Sequence, residues 1–220
     1  MTPSPAQVVA FWSWFRENKR AMDTLDDPDE PFWDVALAEL AKVHRDLKFA
    51  LSSLEGDARG DREFVLTASC DTDLFQTVDT VIAAAPRLSG WQWVPLKPPM
   101  GFDFISEFED LTLNPAEMWF FPMRDTARPR SLGLRIAVPG FTKRRADQYF
   151  DAVAIVLETG LGERAAANDL EHMEVVPLPE NLKAEGFAPL TELPDYLAWN
   201  RANRLPVRGW SGIAEWRTGR

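Results

Sequence analysis

The sequence predicts an α+β protein: an N-terminal helical pair, then two ββαβ units that form antiparallel-rich mixed sheets with helices packed on one face. Three observations predict it. Met118–Leu157 reads as strand, hairpin, strand and helix. Lys48–Leu96 reads the same way 69 residues earlier. The residues before Lys48 carry only helical spacing of their apolar side chains. The two similar stretches mark an internal pseudo-repeat over 48–97 and 117–177, at the level of pattern and not of residue identity. The alternative is one mixed sheet whose halves merely look alike. Either way, a single compact domain over 1–220 is expected.

Ser4-Pro5-Ala6-Gln7 is a capping box with proline at the first helical position. It predicts a helix from Pro5 to Met22, with Val8, Phe11, Trp12 and Phe15 on one face. Trp14 points elsewhere. Two protein elements clasping the helix account for that, and so does a partner. A solvated acidic connector follows, and a second helix runs from Pro31 to Arg45.

In the first ββαβ unit, Lys48–Ser53 and Glu63–Ala68 are strands and Gly56–Gly60 their turn. Asp71 or Thr72 caps a helix carrying Leu74, Val78, Val81, Ile82 and Ala85 on one face. Trp91–Leu96 is the next strand, an edge strand or one that ends early, because Pro95 lacks a ladder donor. Gly101–Leu113 interleaves Phe102, Phe104, Ile105 and Phe108 with carboxylates, which predicts a short amphipathic element.

In the second unit, Met118–Met123 and Leu132–Val138 are strands joined by the polar turn from Arg124 to Arg130. Thr142 is placed to cap a helix with Ala146, Tyr149, Phe150, Val153 and Leu157 along one face. Gly160 and Gly162 stop that helix, and Met173–Val176 is a further strand. Thr191 caps a last helix reaching Asn203.

The formal charge is −10 at pH 7. Such a balance argues against general binding to nucleic acid or to anionic membranes, both of which need basic surface. The one cysteine, Cys70, has no partner within the chain for a disulfide, and no run of residues is a signal peptide or a membrane span. A cytoplasmic location is the simplest expectation. The two histidines, His44 and His172, lack the spacing of a metal site. Gly160-Leu161-Gly162 follows a helix instead of opening one, so it is not a phosphate loop. No catalytic, cofactor-binding or metal-ligating residue is assigned, and no cofactor is expected.

Two patches invite functional readings. The tail over 198–220 is basic, with Trp199, Trp210 and Trp216 interleaved among Arg201, Arg204 and further arginines. Tryptophan and arginine are enriched at interface hot spots, so these residues and Trp14 are candidates for contact with a partner. A tail lying back on its own acidic body explains the same pattern. Secondly, Trp91 and Trp93 on one strand face, with Asp103 and Glu107 nearby in sequence, suggest the floor and wall of a ligand groove, or else the cover of a helix.

The segments FWSWFRENK (Phe11–Lys19), APRLSGWQWVPLKPP (Ala85–Pro99) and LGER (Leu161–Arg164) resemble uncharacterised bacterial proteins of unknown function. That resemblance implies no activity. The sequence reading is thus a non-catalytic binding or regulatory module acting through protein–protein contact or self-association. The alternative is a small-molecule-binding protein or enzyme with a carboxylate-lined site near Asp103–Asp110 and Trp91–Trp93.

Overall fold

Helix α1 (Pro5–Glu17) begins where the capping box places it. Ser4 Oγ accepts from the Gln7 amide at 3.3 Å, and Gln7 Oε1 accepts from the Ser4 amide at 2.8 Å. The predicted single helix to Met22 is interrupted at Asn18, and α2 (Lys19–Thr24) follows it. The Asn18 side-chain amide donates to the Trp14 carbonyl at 2.9 Å, the local back-bonding by which asparagine competes with regular helix. Helix α3 (Pro31–Ala41) is four residues shorter than predicted at its C-terminus.

The computed structural model describes residues 3–53, 61–124, 132–202 and 216. The Gly56–Gly60 turn and most of the Arg124–Arg130 turn lie outside the described residues. The chain divides into two units, Met1–Pro98 and Pro99–Arg220, with the boundary in the proline-spaced run after Val94. The fold is α+β.

In the first unit, β1 (Lys48–Leu51), β2 (Arg62–Thr67) and β3 (Trp91–Pro95) form a sheet in the order β1-β2-β3. β1 is antiparallel to β2, and β3 is parallel to β2 after the crossover helix α4 (Phe75–Ala83). An aromatic core joins helix to sheet. Phe15 meets Phe64, Trp91 and Trp93 edge-to-face, at 5.5, 5.1 and 5.1 Å between ring centroids. Such pairs contribute about 0.5–1.5 kcal/mol each beyond the area they bury. Trp12 donates its indole N–H to the Val81 carbonyl at 2.9 Å, tying α1 to α4. At the start of β2, Arg62 donates to the carbonyls of Met22, Leu25 and Ser52 and lies over the Trp91 ring. It thereby satisfies carbonyls that the end of α2 and the β1 margin leave without a ladder partner.

In the second unit, β4 (Ser106–Phe108) and β5 (Leu111–Leu113) form a hairpin. β6 (Trp119–Arg124), β7 (Leu132–Val138), β8 (His172–Pro177) and β9 (Ala188–Pro189) form a sheet in the order β8-β7-β6-β9. Again the first two strands of the ββαβ run are antiparallel and the third is parallel to the second, after α5 (Ala146–Leu161). In both units a 3-10 turn leads into the crossover helix, at Thr72–Leu74 and at Lys143–Arg145. Asp71 caps the first of these through its side chain, whereas Thr142 makes no side-chain cap. Alternate β7 residues Leu132, Leu134, Ile136 and Val138 join Tyr149, Val153, Val156 and Leu157 of α5 in one core. Helices α6 (Glu163–Asp169) and α7 (Leu193–Ala202) complete the unit, and Leu193, Tyr196 and Leu197 of α7 enter the same core.

Candidate functional site

The stretch from Met100 to Asp110 is a strap lying along α5, held at both ends of the helix. At the C-terminal end, the amides of Met100 and Gly101 donate to the carbonyls of Thr159 and Gly160 at 3.0 and 3.1 Å. Those carbonyls belong to the last turn, which has no partners of its own within the helix. Gly160 is inside α5 and does not stop it, contrary to expectation; the helix ends at Gly162, whose φ is +77°. What requires glycine at 160 is the strap, because a Cβ there would overlap the Phe102 ring.

At the N-terminal end of α5 the strap turns between β4 and β5. Glu109 sits there at φ +52°, a conformation that costs a non-glycine residue free energy. Its Oε2 accepts from Gln148 Nε2 at 2.6 Å, and Asp110 Oδ1 accepts from the same amide at 2.7 Å. Asp110 is also ion-paired with Arg145, which donates in turn to Gln148. The hydrogen bond from Gln148, and then the Arg145 charge, hold the Asp110 carboxyl below its ordinary value. Asp110 thereby offsets Arg145, the last of three basic residues at the positive end of the helix, where bases are disfavoured.

Between the anchors the strap alternates. Phe102 and Ser106 are buried and Phe104 and Phe108 half-buried, while Asp103, Ile105 and Glu107 face solvent. Ile155 lies seven residues after Gln148 and four before Thr159, so it occupies the flank of α5 that carries both anchors. Met100, Ile105 and Ile155 are 71%, 57% and 40% exposed. Asp103 and Glu107 flank Ile105 along the strap and Asp151 lies one helical turn before Ile155, and all three are exposed. Together these residues make a strip of exposed apolar and acidic side chains along the strap and this flank of α5, which hydrogen bonds join at both ends.

The predicted ligand groove is not assembled by its tryptophans. Trp91 is buried, Trp93 is half-buried, and both rings pack against Phe15. Their indole N–H groups donate to Asp23 Oδ1 and to the Pro86 carbonyl, each at 2.7 Å. These rings cover a helix, as the alternative reading had it. Asp103 and Glu107 belong to the other unit, on the outer side of the strap.

Of the predicted partner contacts, Trp216 is corrected outright. It is 1% exposed, with its ring edge-to-face on Tyr196 at 5.6 Å, so its hydrophobic surface is spent in the core. Trp199 is half-buried beside Tyr196, and Arg201 donates two hydrogen bonds to the Asp169 carboxylate. Trp14 is half-buried and stacked on Phe32 at 5.9 Å. Arg204 and Trp210 lie outside the described residues.

Among the described residues, no group of three or more His, Cys, Asp or Glu side chains is arranged to hold a metal ion. Nor is any helix among them long and apolar enough to cross a membrane. No family model, curated protein or solved structure matches this chain.

Proposed function

We propose that the protein is a non-catalytic binding module that acts through protein–protein contact, and that the strap and α5 of its second unit form the contact surface. One observation carries this reading. The strap is clamped at both ends of α5, yet it leaves Met100 and Ile105 in solvent, and Ile155 on the anchored flank of α5 is exposed as well. A backbone anchored at both ends has less freedom to lose on binding, which lowers the cost of forming an interface. A small-molecule site built on Trp91, Trp93, Asp103 and Glu107 has less support, because both indole rings and both indole N–H groups are already engaged.

A photo-crosslinking amino acid placed at Ile105 tests this in cells, with the exposed Val9 of the first unit as the comparison site. An adduct that forms from position 105, not from position 9, and disappears on Ile155→Glu supports the reading. Equal adducts from both positions, or none from position 105, overturn it.

A further inference from the structure

We infer that the occupant of this surface is a cationic amphipathic segment of another protein, an inference that rests on the binding role proposed above. The sequence around the strip is one-sided in charge. Residues 99–118 and 146–161 together contain eight carboxylates and no lysine or arginine. Three bases, Lys143, Arg144 and Arg145, precede α5; Arg145 is bound by Asp110 and Gln148, and the other two lie beyond the N-terminal anchor of the strap. Asp103 and Glu107 lie two residues either side of Ile105 on the outer face of the strap, and Asp151 lies one helical turn before Ile155.

A partner covering the three apolar side chains must also desolvate or face these three carboxylates. An uncharged or acidic partner would leave them unpaired at the rim, which costs free energy or repels. Lysine and arginine answer both demands. Their aliphatic stems can lie on Ile105 and Ile155 while their charged heads reach the carboxylates. The net charge of −10 adds long-range attraction that speeds encounter at low salt, but it is not local. The strip is what makes the contact site-specific.

The probe is a fluorescent amphipathic peptide of leucine and lysine, about 16 residues long so that it can form a helix. Its glutamate counterpart has the same apolar pattern. Binding to the full chain is measured by anisotropy at low and at physiological ionic strength. The triple variant Asp103→Lys, Glu107→Lys, Asp151→Lys is compared with Asp29→Lys, Asp34→Lys, Asp61→Lys, an equal charge change on exposed acids of the first unit. The inference expects the strip variant to weaken lysine-peptide binding by about tenfold or more and the remote variant by far less. Ile105→Ser with Ile155→Ser should also weaken it, and the glutamate peptide should not bind. Equal losses in the two charge variants would mean diffuse attraction by an acidic protein, and would overturn the inference. So would indifference to the two isoleucine changes, or no binding of the lysine peptide. If the crosslink at position 105 captures a partner whose contacting segment is acidic or uncharged, the binding role stands and the cationic occupant falls.

Discussion

The ring of Phe102 occupies the place where a side chain at Gly160 would begin. The two residues are 58 positions apart, and their contact sets the strap on the last turn of α5 together with the amide bonds from Met100 and Gly101. It also inverts an ordinary rule. Glycine inside a helix normally costs about 1 kcal/mol relative to alanine, so Gly160→Ala should stabilise. Here the added methyl must displace a buried ring, and overpacking of that kind costs about 1–3 kcal/mol. The expected result is a net loss of stability in urea denaturation. In a Phe102→Ala background the clash is gone, and the same change should become neutral or stabilising, with a coupling of about 1–3 kcal/mol between the sites. A wild-type background stabilised by Gly160→Ala would show that the ring moves aside freely and that the strap is not held there.

The other end of the strap should loosen in acid. The Asp110 carboxyl titrates lower in the folded chain than in the unfolded one, first because Gln148 donates to its charged form and then because Arg145 lies beside it. A depressed folded value means that the contribution is complete above the unfolded carboxylate value of about 4 and is lost as pH falls through the folded value. Asp110→Asn removes this titration. The stability gap between wild type and Asp110→Asn should therefore be steady at neutral pH and close as pH drops below about 4. Because the group is fully exposed, the gap itself is small. A gap that is unchanged between neutral pH and pH 2 would show that the Gln148 and Arg145 contacts do not favour the charged carboxylate.

Much of the framework was legible because its causes are local. Leu132–Val138 alternates large apolar residues with Gly133, Arg135 and Ala137, and it is a strand from end to end. The Ser4–Gln7 box starts α1 because both of its hydrogen bonds lie within one turn. The missed features have distant causes. Gly160 looks like a helix stop beside Gly162, and only Phe102 explains why the helix continues through it. Trp91 and Trp93 share a strand face, but α1 decides whether that face is open. The strap did carry a local signal. Phe102, Phe104, Ser106 and Phe108 recur at a spacing of two and turn inward, although the chain bends at Phe102 and Phe104 and is a strand only over Ser106–Phe108. Recognising that period would have placed Asp103, Ile105 and Glu107 together on the outer side.

Trp199, Arg201 and Trp216 are chemically suited to a partner, but the structure engages each within the second unit. Trp216 is the decisive one, because it is among the largest fully buried side chains and touches Tyr196 of α7 in the core. Trp216→Ala should cost about 3–5 kcal/mol, the range for emptying a buried aromatic site. Arg201→Ala should cost less than about 1 kcal/mol, because its pair with Asp169 is partly open to solvent, which screens it. A chain ending at Ala202 should resemble Trp216→Ala, and calorimetry should show both unfolding earlier than the full chain. If both unfold with the full chain, Trp216 does not stabilise the core. If they unfold earlier, Trp216 belongs to the core, and the search for a partner belongs at Ile105 and Ile155.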